Sequence, residues 1–377
     1  MGGPAGGGAP RVAVISGGEG VPGAVRRRAA LRWGVLATAA GLLAGCGAPG
    51  PEANLTEGDR LMTSGDTVVH DPCMIREGDD YYVYSTGYPG VGNGNIQMRA
   101  SRDLVHWDFI GTVFPQIPAW IQQRIPGITN LWAPDLSHYR GRYQLYYACS
   151  LFGSQTSCIA LATNTTLDPN APGYRWLDEG EVIASDGTSD YNAIDPNFVS
   201  GAGGPWLDFG SYDSGIQLVS LEQGTRKPAA APHLYPLAYR PVPPHALEAP
   251  FVIERDRYFY LFTSFGRCCA GVQSTYRIKV GRSAHIERGY VDATGEPLLL
   301  GGGTLVLGND GPMIGPGGQS VCQSGEADYL VYHYYNALQN GSPALQIRRI
   351  AWSAQGWPGV GPPMVPIPGA AGAAGGQ

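Results

Sequence analysis

The chain has 377 residues, of which 43% are apolar and 15% charged, and its formal net charge is −6. This length allows one large domain or two small ones with a substantial core, and the lack of a basic stripe outside the N-terminal segment argues against a nucleic-acid partner. The 56 glycines, and the excess of Tyr over Phe (21 to 9), favour an all-β protein with many turns over a helical one.

The N-terminal segment has the pattern of an export signal. Residues 1–25 are Gly-rich and aperiodic, and a basic stretch at 26–32 precedes an apolar run at 33–45. This run is too short to cross a bilayer core of about 30 Å as a helix, so it indicates a signal peptide. It ends in Leu-Ala-Gly-Cys46, which resembles a bacterial lipobox, and the basic stretch resembles a twin-arginine signal more loosely. We predict lipidation at Cys46; an ordinary cleaved signal, in which Cys46 is incidental, is the alternative.

The domain organisation follows from this signal. Residues 1–46 are predicted to be a leader with a lipoprotein-type signal peptide, 47–60 a tether, 61–368 one folded domain and 369–377 a flexible tail. We expect an exported monomer held at the membrane only by the lipid on Cys46; secretion without an anchor is the alternative.

Export would place six further cysteines in an oxidising compartment. Six cysteines allow 15 pairings, and the sequence does not choose among them. Cys149 and Cys158 end and begin two strand-like runs, which suits a bridge across a hairpin, whereas the adjacent Cys268 and Cys269 could bond to each other or elsewhere. No CxxC pair has metal-ligand spacing, so zinc is not expected.

Short aromatic strands recur five times along the chain. They lie at 81–84, 143–147, 206–209, 258–262 and 329–333. A polar or Gly-rich turn comes before each strand, and a Pro-containing element precedes it, giving a repeat of roughly 50–70 residues that suits a four-stranded sheet. Five such sheets arranged radially form a five-bladed β-propeller. The sequence therefore predicts this all-β fold, with a single helical turn at 119–123.

Four of the five Pro-containing elements also contain an acidic residue. They are Asp71-Pro72, Pro134-Asp135, Asp195-Pro196 and Glu248-Ala249-Pro250, and the fifth element is Pro316-Gly317. If these elements are the innermost strands, their carboxylates meet in the central channel, where unpaired charge is costly unless it is used. Glycoside hydrolysis requires two carboxylates facing each other across the scissile bond. Taken singly, Asp71 and Asp195 would also suit Asp-Pro turns, and we expect Asp135 to hydrogen-bond the channel wall.

Several segments, in the same order, resemble glycoside hydrolase family 43, and most closely its endo-α-1,5-L-arabinanase branch. Three are the signature segments at 70–72, 192–197 and 248–250, and further matches lie at 130–137, 161–168, 209–211, 268–276 and 332–335. The resemblance covers residues 65–365. It implies a propeller that hydrolyses arabinan or a related plant cell-wall polysaccharide and inverts the anomeric configuration.

The resemblance also implies roles for individual residues. Asp71 would be the general base that activates water, Glu248 the general acid, and Asp195 the residue that raises the pKa of the acid and orients it. Three residues would bind substrate, namely Trp132, Asn192 and Ser211. His333 matches a position near a structural calcium ion on the channel axis, although calcium prefers oxygen ligands. His70 is expected to hold Asp71 or a neighbouring backbone group.

One position departs from the branch and leaves alternatives open. Asp213 stands where the resemblance leads us to expect a Trp, which could remove a sugar-stacking surface and change the preferred chain length. An exo-acting α-L-arabinofuranosidase or β-xylosidase of the same family is the first alternative. A non-catalytic carbohydrate-binding surface lipoprotein is the second, and the presence of all three carboxylates argues against it.

Overall fold

The computed structural model describes residues 60–61, 63–201, 203–325 and 327–361. The predicted signal peptide with Cys46, nearly all of the predicted tether and the predicted tail lie outside these residues. In the described part of the chain, no helix has the length and apolar character needed to cross a membrane.

The described residues form short strands and one short α-helix, with four single-turn 3-10 helices between strands. In chain order these elements are β1 (Arg60–Leu61), β2 (Ser64–Gly65), β3 (Cys73–Glu77), β4 (Asp80–Ser85), β5 (Gln97–Ser101), β6 (His106–Thr112), α1 (Ala119–Arg124), β7 (Leu131–Tyr139), β8 (Arg142–Cys149), β9 (Ser157–Asn164), β10 (Leu177–Ser185), β11 (Asn197–Gly201), β12 (Gly204–Phe209), β13 (Ile216–Ser220), β14 (Leu234–Ala238), β15 (Leu247–Arg255), β16 (Tyr258–Phe265), β17 (Arg277–Ser283), β18 (Thr304–Leu307), β19 (Met313–Gln323), β20 (Asp328–Asn336), β21 (Ser342–Trp352) and β22 (Pro358–Val360). The helix α1 covers the turn predicted at 119–123. The single-turn 3-10 helices lie at Gly92–Gly94, Gly271–Gln273, Leu298–Leu300 and Ala337–Gln339.

These strands form five sheets, which are the blades of a propeller. Four blades are consecutive meanders, β3 to β6, β7 to β10, β11 to β14 and β15 to β18, with β2 added in parallel beside β6. The fifth blade contains β19 to β21, and the short strands β1 and β22 both pair with β21 at its outer edge. The inner strands β3, β7, β11, β15 and β19 each contact the next one, and β19 returns to β3. The ring is therefore closed, and the predicted five-bladed β-propeller is confirmed.

The five aromatic segments all form the second strand of a blade. They lie in β4, β8, β12, β16 and β20, and most of their side chains are buried. Each inner strand thus pairs with an aromatic strand whose ring side chains fill the space between neighbouring blades, as expected for a sheet covered on both faces. Because every blade needs these buried rings in its second strand, the aromatic segments recur along the chain and could be recognised from the sequence.

The cysteines differ in part from what the hairpin pattern suggested. Cys149 and Cys158 are opposite each other in β8 and β9, as expected, but both are buried free thiols and form no bridge. Cys268 and Cys269 are bonded to each other. Opposing positions on paired strands therefore did not predict the bond.

Each blade has a residue in the left-handed region at the start of its inner strand or within it, namely Asp71, Ala133, Asp195, Ala249 and Gly318. The fifth blade has a second one, Gly315, in the same strand. The pairing register of β7, β15 and β19 shifts at the same places, which marks β-bulges. A bulge breaks the alternation of a strand and redirects side chains, and left-handed Asp residues are tolerated better than most. The first five of these residues all line one central cavity of about 30 Å³.

Candidate active site

Asp71 lies where the first blade meets the central cavity. Its Oδ2 accepts hydrogen bonds from Thr86 at 2.7 Å and from His70 Nδ1 at 2.8 Å. Burial acts to raise the pKa of Asp71, but the electrostatic effect and hydrogen bond of the His70 imidazole, the nearby His333 and the hydrogen bond of Thr86 outweigh it and lower the pKa to about 2. The carboxyl group is therefore ionised at neutral pH. No hydrogen bond among the described residues ends on Oδ1.

Glu248 lies on β15 in the fourth blade and is buried. Ser211 donates a hydrogen bond to its Oε2 at 2.5 Å, and the hydroxyl of Tyr276 donates to Oε1. Burial raises the pKa of Glu248 and so does the charge of Asp71, against the two hydrogen bonds, and the net pKa lies above its usual value. This environment favours a protonated carboxyl group more than water does.

Asp195 precedes β11 in the third blade and couples to Glu248. The backbone N–H of Ala249 donates to Asp195 Oδ2 at 3.1 Å, which joins the third blade to the bulge of the fourth. Burial, and then the charges of Glu248 and Asp71, raise the pKa of Asp195 well above its usual value. Because burial and the charge of Glu248 disfavour its ionisation, Asp195 keeps its proton to a higher pH than an isolated carboxyl group would.

His333 lies on β20, buried against Asp71 and His70. Its Nδ1 accepts a hydrogen bond from the backbone N–H of Asp71 at 3.1 Å and is 3.7 Å from Asp71 Oδ1, and its ring stacks on His70 with centroids 3.7 Å apart. Burial, and then the proximity of the second imidazole, His70, lower the pKa of His333 well below its usual value, so the ring is neutral. Within the described residues Nε2 is buried without a hydrogen-bond partner, as an atom facing a ligand outside the chain would be.

The three residues assigned to substrate binding lie in different settings. Trp132 is half-buried on β7, and the N–H of the next residue, Ala133, donates to the same Thr86 hydroxyl that holds Asp71. Asn192 precedes β11, where its Nδ2 contacts Ser154 O at 3.4 Å and its Oδ1 is buried without a partner in the described chain. Ser211 is nearest the reacting groups, since its hydroxyl is bound to Glu248.

Asp135 joins three blades and is remote from the hydrogen bonds of the other carboxylates. It accepts from Phe198 N at 2.9 Å and Asn197 Nδ2 at 3.2 Å, and Cys73 Sγ is 3.7 Å away. Burial raises its pKa to about 6, against the lowering effect of these three contacts. The expectation that Asp135 binds the channel wall is confirmed.

Four residues of this site received no role from the sequence. Thr86 donates to Asp71 and Tyr276 donates to Glu248. The hydroxyl of Tyr335 is hydrogen-bonded to His70 Nε2 at 2.8 Å. Gly318 in the fifth blade has φ of 54°, and a Cβ there would lie 2.3 Å from Asp71 Oδ1 and 2.7 Å from His333 Cε1. In the sequence, only the Gly317-Gly318 pair and the tyrosine-containing motifs could have indicated these residues. Their contacts join distant parts of the chain, which local sequence patterns do not show.

The arrangement brings the ionised carboxylate of Asp71 near Glu248, a buried carboxyl group whose pKa is raised. An ionised carboxylate with one oxygen free of hydrogen bonds can accept a proton from water as the water attacks. A buried carboxyl group of raised pKa can give a proton to a leaving oxygen, with a third carboxylate as its electrostatic partner. This pair of properties is what hydrolysis of an acetal linkage requires.

Comparison with known proteins agrees with this chemistry. The family model described as Glycosyl hydrolases family 43 matches residues 65–358. The chain is 39% identical over 330 residues to the extracellular endo-alpha-(1->5)-L-arabinanase 1 of Bacillus subtilis (strain 168), a match that covers 87% of this chain and 96% of that protein. It is 38% identical over 304 residues to an extracellular exo-alpha-(1->5)-L-arabinofuranosidase of Cellvibrio japonicus (strain Ueda107), covering 78% and 86%.

A solved structure shares the fold. The Cellvibrio cellulosa alpha-L-arabinanase, determined in complex with arabinohexaose, superposes with a TM-score of 0.74 at 36% identity. The match covers 79% of this chain and 96% of that one.

Proposed function

The chain belongs to glycosyl hydrolases family 43, and from this premise we propose that it hydrolyses the α-1,5 links of arabinan, with endo action and inversion of the anomeric configuration. The observation that carries the proposal is the set of three carboxylates from three blades, Asp71, Asp195 and Glu248, which lie close enough that the charge of Asp71 raises the pKa of both others and the charge of Glu248 raises that of Asp195.

Asp71 serves as the general base in this proposal. Its Oδ2 is occupied by His70 and Thr86, so Oδ1 is the oxygen available to a water molecule. The low pKa keeps the group ionised, and the two fixed donors hold the carboxylate plane. Water activated at Oδ1 attacks the anomeric carbon from the face opposite the leaving oxygen, which gives inversion.

Glu248 serves as the general acid, with Asp195 as its partner. Burial and neighbouring negative charge favour the protonated form of Glu248, and transfer of this proton to the departing sugar oxygen avoids an alkoxide leaving group. Asp195 acts through Glu248 and through the Ala249 backbone, which fixes the bulge that carries the acid.

Substrate contacts are proposed for Trp132, Asn192 and Ser211. The indole of Trp132 can stack on an apolar sugar face and offers one N–H donor. Asn192 has an unsatisfied amide oxygen that suits a sugar hydroxyl. Ser211 would act mainly by holding Glu248, because its hydroxyl is already bound there.

A calcium ion is proposed beside His333. The backbone N–H of Asp71 donates to His333 Nδ1, so the neutral ring carries its proton on Nε2. This buried N–H has no partner among the described residues and can donate to a water molecule of the calcium shell. When bound, the ion would supply positive charge on the channel axis.

The protein is proposed to act outside the cytoplasm, attached by lipid at Cys46. The signal-like segment at 26–46 supports export, and two relatives are named as extracellular. A polymeric plant substrate cannot enter a cell intact, which also favours an external enzyme.

Product length tests the endo action. Linear α-1,5-arabinan treated with the purified protein is expected to yield a ladder of oligosaccharides early, with little monomer, as seen by chromatography. If arabinose monomer is the sole early product, the enzyme is exo-acting and the endo proposal is wrong. The 38% identity to an exo-acting relative is the observation that favours this alternative. Release of xylose from β-1,4-xylan, with no action on arabinan, would contradict both.

A further inference from the structure

A directed chain of hydrogen bonds connects Asp71 to the loop after β16. His70 Nδ1 is 2.8 Å from Asp71 Oδ2, and His70 Nε2 is 2.8 Å from the hydroxyl of Tyr335. The backbone N–H of Cys269 donates to the same hydroxyl at 2.7 Å. An ionised carboxylate only accepts, so Nδ1 carries the proton; in neutral imidazole Nε2 then accepts from Tyr335. Every group donates toward Asp71, and such chains reinforce each bond.

The outer end of this chain is the disulfide between Cys268 and Cys269. Cys269 is exposed and has φ of 61°, a left-handed conformation that side chains with a Cβ seldom adopt. The bond between adjacent cysteines closes a small ring around their peptide and restricts the direction of the Cys269 N–H. Its sulfur is 3.8 Å from His70 Nε2, so the ring also borders the imidazole.

Tyr335 is the link between the ring and the histidine. Its side chain is buried, with 3% exposure, and its ring meets those of both His70 and His333. The hydroxyl is fixed from two sides, by Cys269 and by His70. Removal of this oxygen alone would break the chain and leave the packing of the ring intact.

We propose that Tyr335 and the Cys268–Cys269 disulfide are positioning elements of the hydrolytic site, which fix the tautomer and orientation of His70 and thereby hold Asp71 toward the attacking water. The catalytic part of this inference rests on the proposed function. Neither element reaches the reacting atoms, so each acts through His70.

Kinetics of Tyr335→Phe and of the double variant Cys268→Ser/Cys269→Ser test the proposal. Each is expected to lower kcat on linear arabinan by roughly 10- to 100-fold, the usual cost of a lost supporting hydrogen bond or small misplacement, with KM changed less than about twofold. Tyr334→Phe, on the opposite face of β20, is the matched control and should keep full activity. Combining all three substitutions should cost no more than the larger single effect, because one chain is broken twice. Additive losses, or a raised KM at unchanged kcat, would overturn the proposal.

Reduction offers the same test without mutation. A phosphine gives two electrons to the disulfide and becomes its oxide with oxygen from water, while the sulfurs take two protons and become thiols. The wild type should then lose kcat to the level of the double serine variant, and that variant should not respond. The other four described cysteines are already thiols. An equal response of both proteins, or full activity of the reduced wild type, would contradict the role of this bond.

The nitrogen chemical shifts of His70 separate this inference from the proposed function. NMR should show Nδ1 protonated and Nε2 unprotonated in the wild type, with this preference lost in Tyr335→Phe and on reduction. An unchanged tautomer in both would overturn the positioning role. If the wild type hydrolyses no arabinan but shows the tautomer pattern and its loss, the proposed substrate fails and the positioning chain stands.

Discussion

The Glu248→Gln variant is expected to lose roughly 10²- to 10⁴-fold in kcat on arabinan while it keeps its fold, because general acid catalysis contributes about this much. Gln has the shape of Glu but cannot give up a proton to the leaving sugar. Its amide can still bind the two hydroxyls around it, since Ser211 and Tyr276 can each donate or accept. Initial rates and a thermal melt measure the two expectations.

The leaving group provides a sharper readout for Glu248. In an aryl arabinofuranoside with an acidic phenol, the phenolate leaves without being protonated. The variant should therefore be far less impaired on this substrate than on arabinan. Glu254→Gln, on the exposed far end of the same strand β15, is the matched control and should resemble the wild type. If Glu248→Gln lost equal factors on both substrates, or lost nothing on arabinan, its assignment as general acid would be wrong.

The Asp71→Asn variant is expected to lose a similar factor, roughly 10²- to 10⁴-fold in kcat, but equally on arabinan and on the aryl substrate. The reason is that attack by water is required whatever the leaving group, and a neutral amide oxygen is a much weaker base than a carboxylate. Rates on both substrates at the same pH check this expectation.

Fold retention matters for this variant because Asp71 is bound to His70, Thr86 and His333. Asp108→Asn, on the largely exposed side of β6 in the same blade, is the control for loss of a carboxylate alone. An Asp71→Asn protein that melts like the wild type and retains near-normal kcat would exclude Asp71 as the base.

Much of the fold could be predicted because propeller blades repeat locally. Each aromatic strand follows its inner strand within a few residues, so the turn, the ring-rich strand and the Pro-containing element all lie in one short stretch of chain. The carboxylates were identified by the same repeat, since the inner position of every blade points to one axis. Family 43 membership, expected from the ordered motifs, is confirmed by the match over residues 65–358.

The rest of the site depends on contacts between blades, which local patterns do not contain. The sequence suggested only that Ser211 binds sugar. It did not show that the Ser211 hydroxyl donates a hydrogen bond to Glu248, which is 37 positions further along the chain. Gly318 is required by two side chains from other strands, and Tyr335 meets His70 across 265 positions. The pairing of strands correctly predicted that Cys149 and Cys158 oppose each other, but not whether their sulfurs bond.

The anomeric form of the first product tests most directly the claim that Asp71 delivers water opposite to the oxygen protonated by Glu248. Proton NMR of linear α-1,5-arabinan, recorded within the first minutes of reaction and before mutarotation, distinguishes the two forms of the new reducing end. The β anomer should appear first and the α anomer only later, as the sugar equilibrates. An α anomer formed first would mean retention through a covalent intermediate and would contradict this account.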